Sequence, residues 1–307
     1  MTRKTGTREW SQHSVNVCRG CAHGCLYCYA RANALRFGRI KSGEEWTDEQ
    51  VNVVAANRDR RKYTGRVMFP TTHDITAGNA GACLAVLVNL LLAGNDVLVV
   101  SKAGLHVPAL LDLARSLAGG KGKVELRVSL SCLDARIAAF WEPGAPSPAD
   151  RLEAMRRTRD DGTRVSVAIE PLLEPERLDY IVRIASENCS HDGEIWIGAA
   201  NRLRERTAWI PNKEYGTATL VPAAGGATVE VGTGLATVES VLALYAADPA
   251  RADPLDLPLE WEICGIEAGQ RPEAMRRIYK TLKINPQIRW KDSYQKVLGI
   301  DALGRKA

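Results

Sequence analysis

The chain predicts a parallel α/β fold, built as a full or partial barrel of β/α units. Short apolar runs rich in Val, Ile and Leu alternate with longer helix-like stretches along most of its length. Turn signals separate them, as at Asp160-Asp161-Gly162, where a helix should stop before the next strand. The 307 residues, 45% hydrophobic and 25% charged, suit a soluble globular protein with a sizeable core, as one large domain or two small ones.

Taken in order, strands are expected at 13–17, 66–70, 96–100, 124–130, 164–169 and 194–198, with 261–265 and 288–291 adding one or two more. Helices are expected at 28–38, 80–93, 107–118, 148–161, 174–187, 237–247 and 271–282. The apolar run at 82–93 is too short to span a membrane and reads as a buried helix. Residues 215–236 break the alternation. Thr- and Val-rich runs flank Gly225-Gly226, which reads as a small hairpin inserted beside the barrel mouth or as a plain surface loop. The Pro-rich residues 249–258 read as a connector. Three regions follow: a barrel core at 1–210, a hairpin insertion at 211–236, and C-terminal helices with closing strands of the same domain at 237–307.

The chemistry concentrates in residues 21–28, Cys-Ala-His-Gly-Cys-Leu-Tyr-Cys, directly after the first expected strand. Cys21, Cys25 and Cys28 form a C-x₃-C-x₂-C array. Three thiolates at that spacing can ligate three irons of a 4Fe-4S cube and leave the fourth open. An open iron can take the amino and carboxylate groups of S-adenosylmethionine, and one electron could then release a 5′-deoxyadenosyl radical. Cys18 keeps two other readings alive. Cys18/Cys21 and Cys25/Cys28 make two C-x₂-C pairs, but zinc sites usually separate such pairs by a longer loop. Cys18 could also be the fourth ligand of a closed cluster. No secretory signal is visible in Met-Thr-Arg-Lys-Thr, so the eight cysteines are expected as reduced thiols and cluster ligands in a cytoplasm, with no membrane partner. A net charge of +5 permits a polyanionic partner without requiring one. Basic clusters at Arg58/Arg60/Arg61/Lys62, Arg202/Arg204/Arg206 and Arg276/Arg277 read as solvated faces unless they converge on one rim.

The run from Asn16 to Arg31 resembles radical S-adenosylmethionine enzymes of the spore photoproduct lyase-like branch. Glu142-Pro143-Gly144-Ala145-Pro146-Ser147-Pro148 and Arg151-Leu152-Glu153-Ala154 are similar to a stretch of that branch, whereas Glu170-Pro171-Leu172-Leu173 and Trp290-Lys291-Asp292-Ser293 look more like a related group of phage-encoded radical enzymes. The resemblance covers residues 8–200 well and is patchy beyond. It implies a partial (β/α)6-type TIM barrel of the radical S-adenosylmethionine kind, with a C-terminal extension and an external one-electron reductant of the flavodoxin or ferredoxin type.

Candidate cofactor contacts sit where strands end, because that is where such barrels build sites. Thr72 and Asp74 can accept hydrogen bonds from the methionine ammonium, with Asp74 or Thr76 also capping the next helix. Lys102 suits the methionine carboxylate and resembles a cofactor-binding lysine of the branch. Ser129 resembles a ribose- or carboxylate-binding serine. Glu170 can bind ribose or substrate, and Tyr27 is expected near the adenine. His73, Lys291 and Asp292 are candidate substrate contacts; the bland alternatives are a hydrogen-bonded loop histidine and an ion pair closing the barrel end.

The pattern departs from the lyases at one point. Their hydrogen-donating cysteine after the second strand aligns with Thr71, Cys83 reads as core, and Cys132 reads as a small buried hydrophobe. The expectation is therefore a radical enzyme on a thymine-type base, free or in DNA, of isomerase or lyase type rather than methyltransferase. Two other readings are a radical enzyme acting on a peptide or small metabolite, and a nucleic-acid-binding protein with a structural cluster or zinc.

Overall fold

The computed structural model describes residues 6–208, 210, 219–223, 226–231, 234–237 and 259–306. Its centre is one seven-stranded parallel sheet. The strands are β1 (His13–Ser14), β4 (Arg66–Phe69), β5 (Asp96–Ser101), β6 (Lys123–Ser129), β7 (Arg164–Ile169), β8 (Ile195–Ile197) and β12 (Ile288–Trp290), in that spatial order. A second pair, β2 (Cys18–Arg19) and β3 (Gln50–Val51), runs antiparallel beside it. The helices are α1 (Tyr29–Arg36), α2 (Val53–Ala56), α3 (Ala80–Leu92), α4 (Val107–Leu117), α5 (Ala135–Trp141), α6 (Pro148–Asp160), α7 (Leu178–Asn188), α8 (Leu203–Thr207), α9 (Leu259–Gly269), α10 (Pro272–Leu282) and α11 (Asp292–Leu298). The fold is α/β, a sheet curled into a partial TIM barrel.

Strand periodicity explains both faces of the sheet. On β6, Leu126 and Val128 join Val97, Val99, Val165 and Val167 in the core, which also takes Leu87, Leu90 and Leu111 from α3 and α4. The alternate residues, Glu125, Arg127 and Ser129, point the other way. There Arg127 Nη2 lies 3.0 Å from both Glu125 and Glu194, its Nε donates to Ser166 Oγ at 2.9 Å, and its guanidinium stacks over Trp10. Arg66 and Arg164 complete the charge balance on Glu125. Buried charges of both signs therefore fill the inner face near the strand starts, and the open space lies at the strand ends.

Lys291, immediately after β12, ties the two edges of the sheet together. Its ammonium lies 2.6 Å from Glu9 Oε2 and donates to the Gly6 carbonyl at 2.9 Å, both from the segment before β1. The curl is thus closed by side chains rather than by a strand ladder.

Most expected elements lie within a few residues of the observed ones, with several corrections. The first strand is shorter than 13–17, because the chain leaves the sheet after Ser14 to form β2. The expected strand at 261–265 is part of α9, where Ile263 and Ile266, three apart, are both buried. The expected 174–187 helix begins with a short 3₁₀ turn, Pro175–Arg177, and becomes α-helical only at Leu178. The helices α2, α5, α8 and α11 and the β2–β3 pair were not expected. The segment read as a hairpin holds three antiparallel strands, β9 (Thr219–Ala223), β10 (Gly226–Val231) and β11 (Gly234–Thr237). Of the expected 237–247 helix, residues 238–247 lie outside the described residues, as does the connector at 249–258, and residue 237 ends β11. β12 pairs in parallel with β8. Among the described residues no helix is long and apolar enough to cross a membrane.

Candidate active site

The loop between β2 and α1 carries the cysteines, and its path is set by backbone bonds. The Cys21 N–H donates to the Trp46 carbonyl at 2.8 Å, and the Leu26 N–H to the Trp141 carbonyl at 2.8 Å. Cys28 is the N-cap of α1, its sulfur accepting from the Arg31 N–H at 3.5 Å. The buried Arg31 guanidinium returns to the Cys25 carbonyl. Glu49 accepts from the Ala22 N–H at 3.0 Å and the Thr76 hydroxyl at 2.6 Å, tying this loop to the one after β4.

Gly144 presses on the loop from the other side. Its N–H donates to the His23 carbonyl at 2.9 Å, and a Cβ there would lie 2.3 Å from the Ala22 carbonyl oxygen. Gly144→Ala should therefore cost about 1–3 kcal/mol and distort the cysteine loop. The checks are a lower denaturation midpoint and less iron retained after anaerobic reconstitution; unchanged values of both would contradict this.

One cavity of about 1070 Å³ opens at the strand ends, and Cys21, Cys25 and Cys28 line it. Every other candidate from the sequence lines the same cavity: Tyr27, Thr72, His73 and Asp74, then Lys102, Ser129 and Glu170, then Lys291 and Asp292. Cys18 does not. It lines a separate shallow depression with Gln50 and Val53, its thiol donating to the Arg19 carbonyl at 3.5 Å. Among the described residues no three His, Cys, Asp or Glu side chains converge on a single metal ion. Burial pushes the Cys25 thiol up to about 11, with Lys102 opposing, and burial pushes Cys21 up as well. These thiols stay protonated near neutral pH until a metal displaces the protons. Three free cysteines on one cavity wall, with a lysine beside them, fit the donor set of an open cluster.

Three polar hubs support this wall. Asp74 accepts from the Ile75 N–H at 2.7 Å, the Lys102 N–H at 2.9 Å and the Ser101 hydroxyl, with His23 Nδ1 at 3.3 Å. Burial raises its pKa, but His23, Lys102 and Ser101 together hold it well below the usual carboxylate range. The expected capping role is overturned for both candidates. α3 starts after Asn79, so neither Asp74 nor Thr76 is its N-cap; the Thr76 N–H donates to Asn79 Oδ1 at 3.1 Å. His73 uses both ring nitrogens on backbone: Nδ1 faces the Asp74 carbonyl at 2.9 Å and Nε2 accepts from the Val17 N–H at 3.2 Å. Burial lowers its pKa, so the ring is the neutral tautomer that bridges two loops.

The second hub, Glu142, was visible in the sequence only as part of a motif. Its carboxylate is fully buried and accepts from the Tyr27 hydroxyl, from Ser131 Oγ at 2.9 Å and from the Arg151 guanidinium, with Lys102 Nζ at 3.9 Å. Burial opposes ionisation, yet Arg151, Lys102 and Tyr27 bring its pKa down to about 2. Lys102 lies over the Tyr27 ring at 5.6 Å, held charged by the Glu142 and Asp74 carboxylates against the penalty of burial.

The third hub is Glu170, 3.5 Å from Lys291. Burial raises its pKa while Lys291 opposes. Gly198 makes room for it, since a Cβ there would lie 2.8 Å from the Glu170 carboxyl carbon. Asp292 pairs with Lys296 at 3.6 Å, and its N–H donates to Glu9 at 3.1 Å. Cys83 and Cys132 are both fully buried and off the cavity; Cys132 donates to the Asp134 carbonyl at 3.7 Å.

No protein-family model matches the chain. It is 28% identical over 176 residues to an uncharacterized protein of Acidianus two-tailed virus, covering 54% of this chain and 57% of the viral one. It is 24% identical over 175 residues to an uncharacterized protein of Mycobacterium bovis, covering 53% and 50%. The chain thus spans about half the length of the curated relatives it matches. Among solved structures it is similar to a doubly substituted mutant of spore photoproduct lyase with bound AdoMet and dinucleoside spore photoproduct, at 16% identity and TM-score 0.45, covering 79% of this chain and 74% of that one. A single-site mutant with dinucleoside spore photoproduct gives 17% identity and the same TM-score, coverage again 79% and 74%.

Proposed function

We propose that the chain is a radical S-adenosylmethionine enzyme that holds a 4Fe-4S cluster on Cys21, Cys25 and Cys28. Its substrate is a nucleobase-type group, thymine-derived, in a nucleotide or in DNA. The observation that carries the reading is that these three cysteines, and not Cys18, share one cavity wall with Lys102, Ser129 and Glu170. When bound, the cluster and S-adenosylmethionine supply the one-electron chemistry that makes a hydrogen-abstracting radical.

The chain's own residues bind and aim. Lys102 offers a fixed positive charge for the methionine carboxylate. Thr72 takes the ammonium, because the Asp74 oxygens already have their donors. Asp74 acts through its hold on His23 and on the Lys102 backbone, and His73 positions the loop that carries Thr72. Ser129 and Glu170 accept from ribose hydroxyls. Tyr27 gives its ring edge to the cofactor while Glu142 holds its hydroxyl. Lys291 holds Glu170 in place, and Asp292, in the cavity lining, is a candidate substrate contact.

A cavity of about 1070 Å³ has room for S-adenosylmethionine and a nucleoside together. Apart from the three cluster cysteines, no described thiol lines it, and the sequence resemblance aligns Thr71 with the donor cysteine of the lyases. This favours isomerisation or base modification over a lyase reaction that needs a protein thiol.

The test uses anaerobically reconstituted protein, dithionite and S-adenosylmethionine, with mass spectrometry of 5′-deoxyadenosine in the presence of DNA carrying deuterated thymine or thymine-derived bases. Deuterium in 5′-deoxyadenosine or in recovered S-adenosylmethionine is the expected result. Cleavage without deuterium transfer would remove these bases and point to a peptide or metabolite. No cleavage by iron-loaded protein would mean a structural cluster.

A further inference from the structure

We propose that the mouth of the large cavity holds a phosphate-binding subsite made by Arg8, Arg36, Arg202 and Arg206, so that the substrate carries a phosphate beside its base and is neither a free base nor a nucleoside; the proposal rests on the nucleobase reading above. The basic clusters of the sequence part company here. Arg202 and Arg206 line the cavity, whereas the clusters at 58–62 and 276–277 do not. Arg8, from the turn before β1, and Arg36, from the last turn of α1, line it as well. Arginines from three distant stretches of chain thus meet on one cavity, which is what separates a ligand-binding rim from a solvated face.

Local structure sorts these arginines. Arg202 is the N-cap of α8, and its carbonyl accepts from the Arg206 N–H at 3.0 Å, so the two stand one turn apart on the same side of the helix. Leu203 and Thr207 take the buried side. Arg204 does not line the cavity and pairs with Glu267 at 3.2 Å. α8 packs against α1, which brings Asn33 and Arg36 to the same cavity. Arg206 is half-buried, while Arg8, Arg36 and Arg202 are exposed. Burial lowers the Arg206 pKa and the nearby Glu170 opposes.

The charges of the cavity leave a positive excess at this rim. Lys102 has Glu142 at 3.9 Å, and Lys291 has Glu9 at 2.6 Å. The carboxylates in the lining are engaged too: Glu205 lies 3.7 Å from Arg202, and Asp292 lies 3.6 Å from Lys296. Among the described residues that leaves Arg8, Arg36 and Arg206 without an ion-pair partner. The helix dipole favours a cation in the last turn of α1, which accounts for one basic residue there and not for its company. Guanidinium forks match phosphate oxygens two at a time, and the Asn33 and Asn201 amides in the lining add neutral donors. A phosphate held at the rim fixes how far the attached sugar and base reach inward, towards the wall that carries the cysteines.

The experiment measures binding to the full chain, reconstituted anaerobically and loaded with S-adenosylmethionine but without reductant, by titration calorimetry at low and high salt. The probes are thymidine, thymidine 5′-monophosphate and single-stranded oligothymidylate. The monophosphate is expected to bind at least about tenfold more tightly than thymidine, with the gap narrowing in salt. Arg36→Gln/Arg206→Gln should bring the two within about twofold, while Arg204→Gln keeps the gap. Arg8→Gln/Arg36→Gln, confined to exposed positions, should narrow the gap without touching the half-buried Arg206, and serves where the first variant does not fold. Oligothymidylate binding more tightly than the monophosphate assigns the phosphate to a strand; equal binding assigns it to a mononucleotide. The proposal is overturned if neither phosphate-bearing probe binds more tightly than thymidine, if both arginine variants keep the wild-type gap, or if an oligoglutamate peptide binds and the monophosphate does not. With dithionite added, deuterium transfer from deuterated thymidine as fast as from its monophosphate would sink the subsite alone. Transfer from none of the three probes would instead sink the nucleobase reading, and phosphate binding is scored independently of it.

Discussion

Replacing Cys25 by alanine is expected to abolish retained iron–sulfur absorbance and 5′-deoxyadenosine formation, whereas Cys18→Ala leaves both within about twofold of wild type. The contrast follows from where the two side chains point. Cys25 lines the large cavity beside Lys102, while Cys18 lines the opposite depression and bonds to the Arg19 carbonyl. Cys21→Ala and Cys28→Ala should behave like Cys25→Ala, because a cube that loses one of three protein ligands exposes a second iron. Iron and sulfide content with electron paramagnetic resonance of the reduced protein are the measurements. Loss of the cluster in Cys18→Ala would restore the closed-cluster reading.

Glu142→Ala should cost about 3–5 kcal/mol of stability and lower S-adenosylmethionine cleavage in the fraction that folds. The carboxylate is the shared partner of Arg151, Lys102, Tyr27 and Ser131, so its removal leaves a buried guanidinium and a buried ammonium without their counter-charge. Glu142→Gln should be milder, since the amide still accepts from Tyr27 or Ser131. The pH dependence has a definite sign. The folded-state pKa is depressed from 4.5 to about 2, so this carboxylate's contribution is complete above about 4.5 and is lost as pH falls through about 2. Denaturant midpoints of wild type and Glu142→Ala should therefore differ fully at pH 7 and converge under acid. A constant difference down to low pH would show that the carboxylate's charge is not what stabilises the fold.

Much of the site was legible because strand ends and loops are where local sequence and function coincide. Lys102, Ser129 and Glu170 end or follow apolar strands, and a polar group there has to face the mouth of a barrel. The cysteine spacing marked its own loop. What stayed hidden was who neutralises whom. Asp74 read as an acceptor for the cofactor or a helix cap, yet three donors already occupy it and the His23 ring lies 3.3 Å away. His73 read as a substrate contact or as a hydrogen-bonded loop histidine, and both its nitrogens serve backbone. Lys291 read as a ligand contact or a closing ion pair, and its main partner is Glu9, 282 residues earlier.

The sequence by itself determined the order of the seven sheet strands and of the long helices between them, because burial on the sheet's outer face demands apolar residues at periods that can be read directly. It also determined the cluster-type cysteine array, since three ligands of one cube can come from one short loop. The tertiary structure alone decided the ion pairs that fill and close the barrel and the direction in which Cys18 points. Those depend on curvature, which brings residues 9, 142, 151 and 291 to partners that no local pattern specifies. A buried charge is tolerated only with a counter-charge in reach, and reach is a property of the folded chain.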